Sequence, residues 1–173
     1  MPIGFGGQSR QRWGDNTVNA REYMRDILLT DTKDQPRSTA QARKSGMVLL
    51  VFFDPEDASC GDALQTLQRL ADAYGDSGKL TVWGVSQGDK SSAEAFAARS
   101  SVSFPLLLDR ENWHSMIYGV SIVPTVFLAD SSGVVLAKMV GWRPKAIREF
   151  SAQIAAILER EPVDVLAAAS AAA

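Results

Sequence analysis

The sequence predicts an α/β fold in which helices flank a central mixed sheet. Residues 47–53 are apolar without interruption, which is typical of a strand buried on both faces of a sheet. After a short acidic turn, the apolar residues of 58–74 follow the 3.6-residue period of a helix. Farther on, the turn sequence Asp130-Ser-Ser-Gly133 separates two apolar runs, which predicts an antiparallel hairpin near the C-terminal end.

The segment before residue 47 predicts one helix and a connection. Residues 1–14 are rich in glycine and polar side chains, and we expect them to be loosely held. Residues 15–29 begin with the capping sequence Asp15-Asn-Thr and carry apolar side chains on one side, which predicts an N-terminal helix. This helix either packs on the domain or docks a partner. Residues 30–45 form a connection in which Ser38 begins one helical turn.

The segment after the first helix alternates strands and helices. Residues 79–86 predict a second strand, parallel to the first after a right-handed crossover. Residues 91–99 begin with the capping box Ser-Ser-Ala-Glu and predict a short helix. Residues 104–108 predict a third strand and residues 111–118 a further helical segment. A last helix follows Pro144, which lies in its first turn.

The only cysteine lies at the start of the first long helix. Asp57 occupies the N-cap position, where its carboxylate can accept free backbone N–H groups. Cys60 therefore lies in the first turn, where a helix N-terminus lowers a thiol pKa. Asp54 and Asp57 act against this effect, because negative charge disfavours a thiolate. Two interpretations remain open for Cys60, a monothiol nucleophile and a small buried side chain.

Three motifs resemble the thioredoxin-like superfamily, in its redoxin branch of membrane-anchored thiol-disulfide oxidoreductases and peroxiredoxins. The sequence Asp57-Ala-Ser-Cys60 stands where that family has Cys-x-x-Cys after its first buried strand. Residues 85–109 contain Val-Ser followed by Phe-Pro-x-x-x-Asp, as in redoxins. Residues 118–125 resemble the family segment Tyr-Gly-Val-x-x-x-Pro-Thr. The resemblance covers roughly residues 46–158.

This resemblance implies a thioredoxin-like fold with the extra strand and helix of redoxins. It also implies a cis peptide bond before Pro124, facing the Asp57–Cys60 turn. In the family, the backbone next to this proline pairs with an extended substrate, so Val123, Pro124 and Thr125 are the candidate binding residues. Asp57 stands at the position of the attacking cysteine and Cys60 at that of the resolving cysteine. The attacking thiol is therefore missing.

Two functional hypotheses follow from this departure. The first is a redoxin with a degenerate active site, which binds protein through the groove between residues 57–60 and 123–125 or is a subunit of a larger assembly. The alternative is a monothiol thiol-disulfide oxidoreductase, in which Cys60 forms mixed disulfides with a partner protein or glutathione. Peroxidase activity is disfavoured, because Pro55 precedes Cys60 by five residues instead of seven and the required threonine is absent.

The composition disfavours several other classes of function. With 173 residues, a net charge of −2 and 46% hydrophobic residues, the chain is typical of a soluble globular protein without a nucleic-acid surface. No apolar stretch approaches a membrane span. The acidic turn lacks the spacing of a calcium loop, and His114, the sole histidine, lacks a zinc partner, so neither a metal nor a cofactor is expected. A small-molecule substrate is not expected either.

The sequence also predicts domain limits and a location. A single thioredoxin-like domain is expected over residues 46–160, preceded by residues 15–45 and followed by an Ala-rich tail over residues 161–173. The tail is expected to fray, because short alanine segments are marginal helices in water. The first residues lack the pattern of a secretory signal, which predicts a cytoplasmic protein. A periplasmic location is the alternative if a signal peptide has been removed.

Overall fold

A mixed five-stranded sheet lies at the centre of the computed structural model, which describes residues 18–167. These residues form seven strands, two of them in a separate hairpin: β1 (Leu28–Thr30), β2 (Pro36–Ser38), β3 (Met47–Phe53), β4 (Leu80–Ser86), β5 (Leu106–Leu108), β6 (Thr125–Ala129) and β7 (Val135–Val140). The order in the main sheet is β5-β4-β3-β6-β7. Strands β3, β4 and β5 are parallel, whereas β6 and β7 form an antiparallel hairpin beside β3. The predicted fold class is confirmed.

Helices cover one face of the sheet. Five α-helices lie wholly within the described residues: α1 (Thr39–Ala42), α2 (Ala58–Tyr74), α3 (Lys90–Ser100), α4 (Trp113–Ile117) and α5 (Ile147–Ile157). Leu64 of α2, Phe96 of α3 and Phe150 of α5 pack in one core with alternate residues of β3. The remaining residues of β3 point into a second core on the opposite face, where the N-terminal segment supplies Val18 and Ile27.

The predicted N-terminal helix is wrong. Residues 18–27 run in irregular backbone, residues 28–30 form β1, and the predicted cap at Asp15 lies outside the described residues. The backbone N–H groups of Arg21 and Met24 donate to the carbonyls of Val135 and Gly133, both at 2.7 Å. Because these tertiary hydrogen bonds satisfy the backbone, the apolar side chains can be buried without a helix.

Smaller corrections concern where helices begin. Helix α3 begins at Lys90, because the carboxylate of Asp89 caps it by accepting the Ser92 N–H at 2.8 Å; the predicted capping box from Ser91 is wrong. The predicted helical segment 111–118 is split into a 3₁₀ turn and α4, since Glu111 and the following asparagine have positive φ angles. The predicted turn at Ser38 is confirmed, because its hydroxyl caps α1.

The packed part of the chain continues beyond the predicted boundary at residue 160. Val165 is buried in the core beneath α5. Its segment is held by hydrogen bonds, because the Ser151 hydroxyl donates to the Val163 carbonyl at 2.6 Å and the Val163 N–H donates to the Tyr74 hydroxyl at 2.8 Å. The predicted fraying does not apply to this segment. The last alanines of the predicted tail lie outside the described residues.

We predict that Gly46→Ala destabilises the protein by about 2 kcal/mol or more. Gly46 precedes β3 with φ +152°, and an added Cβ would lie 2.3 Å from the Lys79 carbonyl oxygen. Both the backbone conformation and the contact exclude a side chain there. Chemical denaturation of the two proteins measures the change in the free energy of unfolding.

Gly75→Ala is the matched control. Gly75 has φ −66°, and an added Cβ would meet no atom within 4 Å. We expect it to be neutral or to stabilise by up to about 1 kcal/mol, because alanine reduces the entropy of the unfolded chain. Equal effects of the two substitutions would contradict the assigned role of Gly46.

Candidate functional site

The turn between β3 and α2 is organised by an aspartate at the end of the strand. The Asp54 carboxylate accepts the Glu56 N–H at 2.9 Å, and the Asp54 carbonyl accepts the Asp57 N–H at 3.0 Å. Aspartate favours such turns because its short side chain can bond to the backbone two residues on. The turn brings residues 57–60 from the end of the strand to the start of the helix, as predicted.

Asp57 is the N-cap of α2, also as predicted. Its carboxylate accepts both the N–H group of Ser59, at 2.9 Å, and the Ser59 hydroxyl, at 2.7 Å. These hydrogen bonds from Ser59 stabilise the charged form and lower the pKa of Asp57. A stable anion therefore occupies position 57, and a carboxylate cannot form a mixed disulfide.

Cys60 is completely buried beneath this turn. Burial, together with the negative charges of Asp57 and Asp54, raises the pKa of its thiol to about 11, although a backbone hydrogen bond from Asp54 opposes this shift. At pH 7 only about one thiol in ten thousand is ionised. A reagent therefore has little access to the sulfur, and the population of the reactive thiolate is very small. Both properties are typical of an inert structural cysteine.

Residues 122–125, here named the proline loop, lie at the same end of the sheet as this turn. The Val123–Pro124 peptide bond is cis, which confirms the expectation from the resemblance. Thr125 pairs with Phe52 in the antiparallel register of β6 and β3, next to the residue where β3 ends. The Thr125 hydroxyl donates to the Ile122 carbonyl at 2.6 Å and holds the loop.

The backbone of Val123 is free for an additional hydrogen-bond partner. Pro124 is buried and its carbonyl accepts the Gly141 N–H at 2.8 Å. Val123 is only partly buried, and within residues 18–167 its N–H and C=O groups make no hydrogen bond. Beside it, Ile122 and Val140 expose 53% and 42% of their surfaces. An extended chain could pair with this backbone and cover the apolar side chains.

A groove of about 350 Å³ next to Asp57 opens toward α3 instead of the proline loop. Its wall includes Arg99, whose guanidinium donates to the Pro55 carbonyl and lies 5.2 Å from the ring centroid of Phe96. Val123, the proline and the threonine do not line it. Sequence reasoning missed Arg99, since a basic residue in the last turn of a helix gives no signal of its tertiary partner.

Among residues 18–167, no group of three or more His, Cys, Asp or Glu side chains is placed to hold a metal ion. Over the same residues, none of the helices is both long and apolar enough to cross a membrane.

The model of the AhpC/TSA family matches residues 21–138, which include the α2 turn and the proline loop. This chain belongs to the AhpC/TSA family. It is thus a member of the thioredoxin-like redoxin superfamily, as the sequence motifs predicted.

Among its relatives are two proteins named thiol-disulfide oxidoreductase ResA. The one from Geobacillus kaustophilus is 31% identical over 121 residues, which cover 69% of this chain and 68% of the relative. The one from Geobacillus thermodenitrificans is 29% identical over the same shares.

Solved structures of other redoxins agree with the fold. A protein from Chlorobium tepidum assigned as thiol:disulfide interchange protein DsbE superimposes with a TM-score of 0.73 at 23% identity, covering 81% of this chain and 98% of the other. Peroxidoxin BcpB from Mycobacterium tuberculosis gives a TM-score of 0.69 at 21% identity, covering 80% and 97%. At these identities the structures support the fold alone.

We predict a pH dependence of stability that is specific to Cys60. The pKa of this thiol is about 11 in the folded chain and near 9.0 in an unfolded chain, so the unfolded state binds fewer protons between these values. The stabilisation is therefore complete below pH 9 and is lost as the pH rises toward 11. We expect the free energy of unfolding of wild type to be about 2 kcal/mol lower at pH 10.5 than at pH 8 because of this thiol. Cys60→Ala should lack this contribution.

Denaturant unfolding of both proteins at the two pH values measures this difference. Tyr118, whose pKa is also raised by burial, contributes equally to both proteins and cancels in the comparison. The same loss in wild type and Cys60→Ala would contradict the assigned state of the thiol.

Proposed function

We propose that this redoxin is a protein-binding module or assembly subunit that lacks dithiol redox activity. The main support is the pair of residues at the start of α2, an anionic Asp57 and a completely buried Cys60. Dithiol exchange requires one thiolate that attacks a disulfide and a second thiol that resolves the mixed disulfide. The relatives named thiol-disulfide oxidoreductase indicate the chemistry of the scaffold, and position 57 of this chain cannot perform its first step.

The binding surface that we propose is the proline loop. Val123 offers a backbone that makes no hydrogen bond to any described residue, Pro124 fixes the loop from within the core, and Thr125 anchors it through the Ile122 carbonyl. An extended segment of a partner would add main-chain hydrogen bonds at Val123 and cover Ile122. This mode of recognition uses the backbone, so it does not require a reactive cysteine.

The alternative, a monothiol oxidoreductase, has less support. Its first step is attack of the Cys60 thiolate on a disulfide, with formation of a mixed disulfide and release of the other thiolate. This step needs an accessible and ionised sulfur, whereas burial and the neighbouring Asp57 act against both requirements.

Asp57→Cys is predicted to create a dithiol enzyme. The N-cap side chain is partly exposed at a helix N-terminus, a position that favours a thiolate, and the first-turn Cys60 is its natural disulfide partner. The oxidised variant should be about 2 Da lighter than its reduced form and should reduce insulin with dithiothreitol as electron donor. Wild type should be inactive in this assay, and its thiol should react with a disulfide reagent only after denaturation.

Asp62→Cys is the matched control. It adds a second thiol to the same helix, but residues 60 and 62 do not face each other, so no disulfide and no insulin reduction are expected. Fast labelling of native wild type would instead support the monothiol alternative. A folded Asp57→Cys protein that forms no disulfide would show that the register with the Cys-x-x-Cys motif is wrong.

Partner binding is predicted to depend on Pro124 and not on Cys60. Immobilised wild type should retain specific proteins from an extract of the source cells. The retained amount should be about fivefold or more lower for Pro124→Ala, because this substitution alters the backbone that Val123 presents. Pro144→Ala, which changes the first turn before α5, and Cys60→Ala should retain them. Identical retention by Pro124→Ala and wild type, measured by quantitative mass spectrometry, would contradict recognition through the proline loop.

A further inference from the structure

A second concave site lies outside the carboxyl ends of β4 and β5, and residues 122–125 do not line it. Its volume is about 750 Å³, within the range of small-molecule pockets. Three segments form its walls: the β1–β2 hairpin, the residues between β4 and α3, and the segment from the end of β5 into α4. The hairpin is held beside β5, because Asp31 pairs with Leu107 and the Thr32 N–H donates to the Leu106 carbonyl at 3.0 Å. Ligands of open α/β sheets commonly bind outside the carboxyl ends of the strands, and this pocket has the same position.

The walls of this pocket are mainly apolar. Leu28 and Pro36 of the hairpin face Leu108 at the end of β5 and Trp113 at the start of α4. Leu28 and Trp113 expose 68% and 58% of their surfaces. Large exposed apolar side chains that converge on a concavity are typical of a ligand site, since exposing them to water is otherwise unfavourable.

His114 is held in this pocket by a buried carboxylate. Asp109, only 2% exposed, accepts the N–H and hydroxyl of Ser115, both at 2.8 Å, and the His114 N–H at 2.9 Å. The same carboxylate lies 3.2 Å from Nδ1 of His114. Because Nδ1 faces a carboxylate, it carries the proton, and Nε2 is left without a partner within residues 18–167.

The charges around the pocket are unequally satisfied. Lys90 pairs with Asp34 at 3.0 Å, and the Asp89 carboxylate is used as the cap of α3. Arg110 lines the pocket four residues before His114, and its guanidinium makes no ion pair or hydrogen bond within residues 18–167. The unused polar groups are therefore a guanidinium and an imidazole from one segment, and both can donate to an oxygen anion when the ring is protonated.

We propose that this pocket binds a carboxylate with an apolar body. The apolar body lies against Leu28, Leu108 and Trp113, and the carboxylate faces Arg110 and His114. The ligand is either a free small carboxylate or the C-terminus of another polypeptide, since both present the same groups. This site does not involve Asp57 or the proline loop. If octanoate does not bind here, the proposed function is unaffected, and a failure of the proposed function would not affect this site.

Titrations followed by ¹H–¹⁵N NMR test this site, with octanoate as the probe. We expect saturable shifts confined to the hairpin, residues 88–90 and residues 108–114, including the indole N–H of Trp113, with a dissociation constant of about 1 mM or tighter. Octanamide and octylamine have a similar apolar chain and lack the carboxylate. We expect each to bind at least about fivefold more weakly than octanoate. Equal binding of the three probes, or no saturable shift, would overturn the proposal.

Arg110→Gln should weaken octanoate about fivefold and leave octanamide unchanged, because it removes only the charge contact. Its fold should be retained, since the Arg110 side chain makes no hydrogen bond or ion pair in the described chain and its backbone hydrogen bond from Trp113 does not depend on the side chain. Lys145→Gln, an exposed cation beside α5, is the control and should have no effect. The same affinity of octanoate for Arg110→Gln and wild type would contradict the carboxylate contact.

A peptide arm separates the two sources of the ligand. Acetyl-Ala-Ala-Leu with a free carboxylate presents the same groups as octanoate on a polypeptide end. Tighter binding of the peptide than of its C-terminal amide assigns the site to a chain terminus. Binding of octanoate alone assigns it to a small free carboxylate, and both results support the carboxylate site.

Discussion

Burial of β3 on both faces is the constraint on which the rest of the structure depends. All seven of its residues are at most 2% exposed, because α2, α3 and α5 cover one face and the N-terminal segment covers the other. Burying a large apolar side chain contributes about 1.5–3 kcal/mol, so the seven buried residues of this strand are a large local source of stabilisation. Its end fixes both the start of α2 and, through the pairing of Phe52 with Thr125, the position of the proline loop.

Sequence reasoning succeeded where the physical cause is local. The limits of β3 follow from an uninterrupted apolar run, and the cap at Asp57 follows from the chemistry of one side chain. The N-terminal segment failed because its apolar spacing fits a helix, whereas backbone pairing with the turn at Gly133 decides its conformation. Such pairing brings together residues more than one hundred positions apart, and no local pattern encodes it.

The candidate site shows the same division. The surrounding carboxylates allowed the sequence to predict a disfavoured thiolate at Cys60, and the larger effect of burial depends on packing that only the fold reveals. The carboxylate pocket was not predicted at all. Asp109 and His114 are five residues apart, but the cavity that His114 lines also needs the β1–β2 hairpin as a wall, and the sequence did not indicate this hairpin.

Asp57 has an effect beyond the absence of a thiol at its position. The anionic Asp57 raises the pKa of Cys60, so it also suppresses the chemistry that the remaining cysteine could perform alone. The proline loop, in contrast, has a cis bond, and within residues 18–167 the backbone of Val123 makes no hydrogen bond. Suppressed thiol chemistry beside such a loop is the combination that the proposed binding without electron transfer requires.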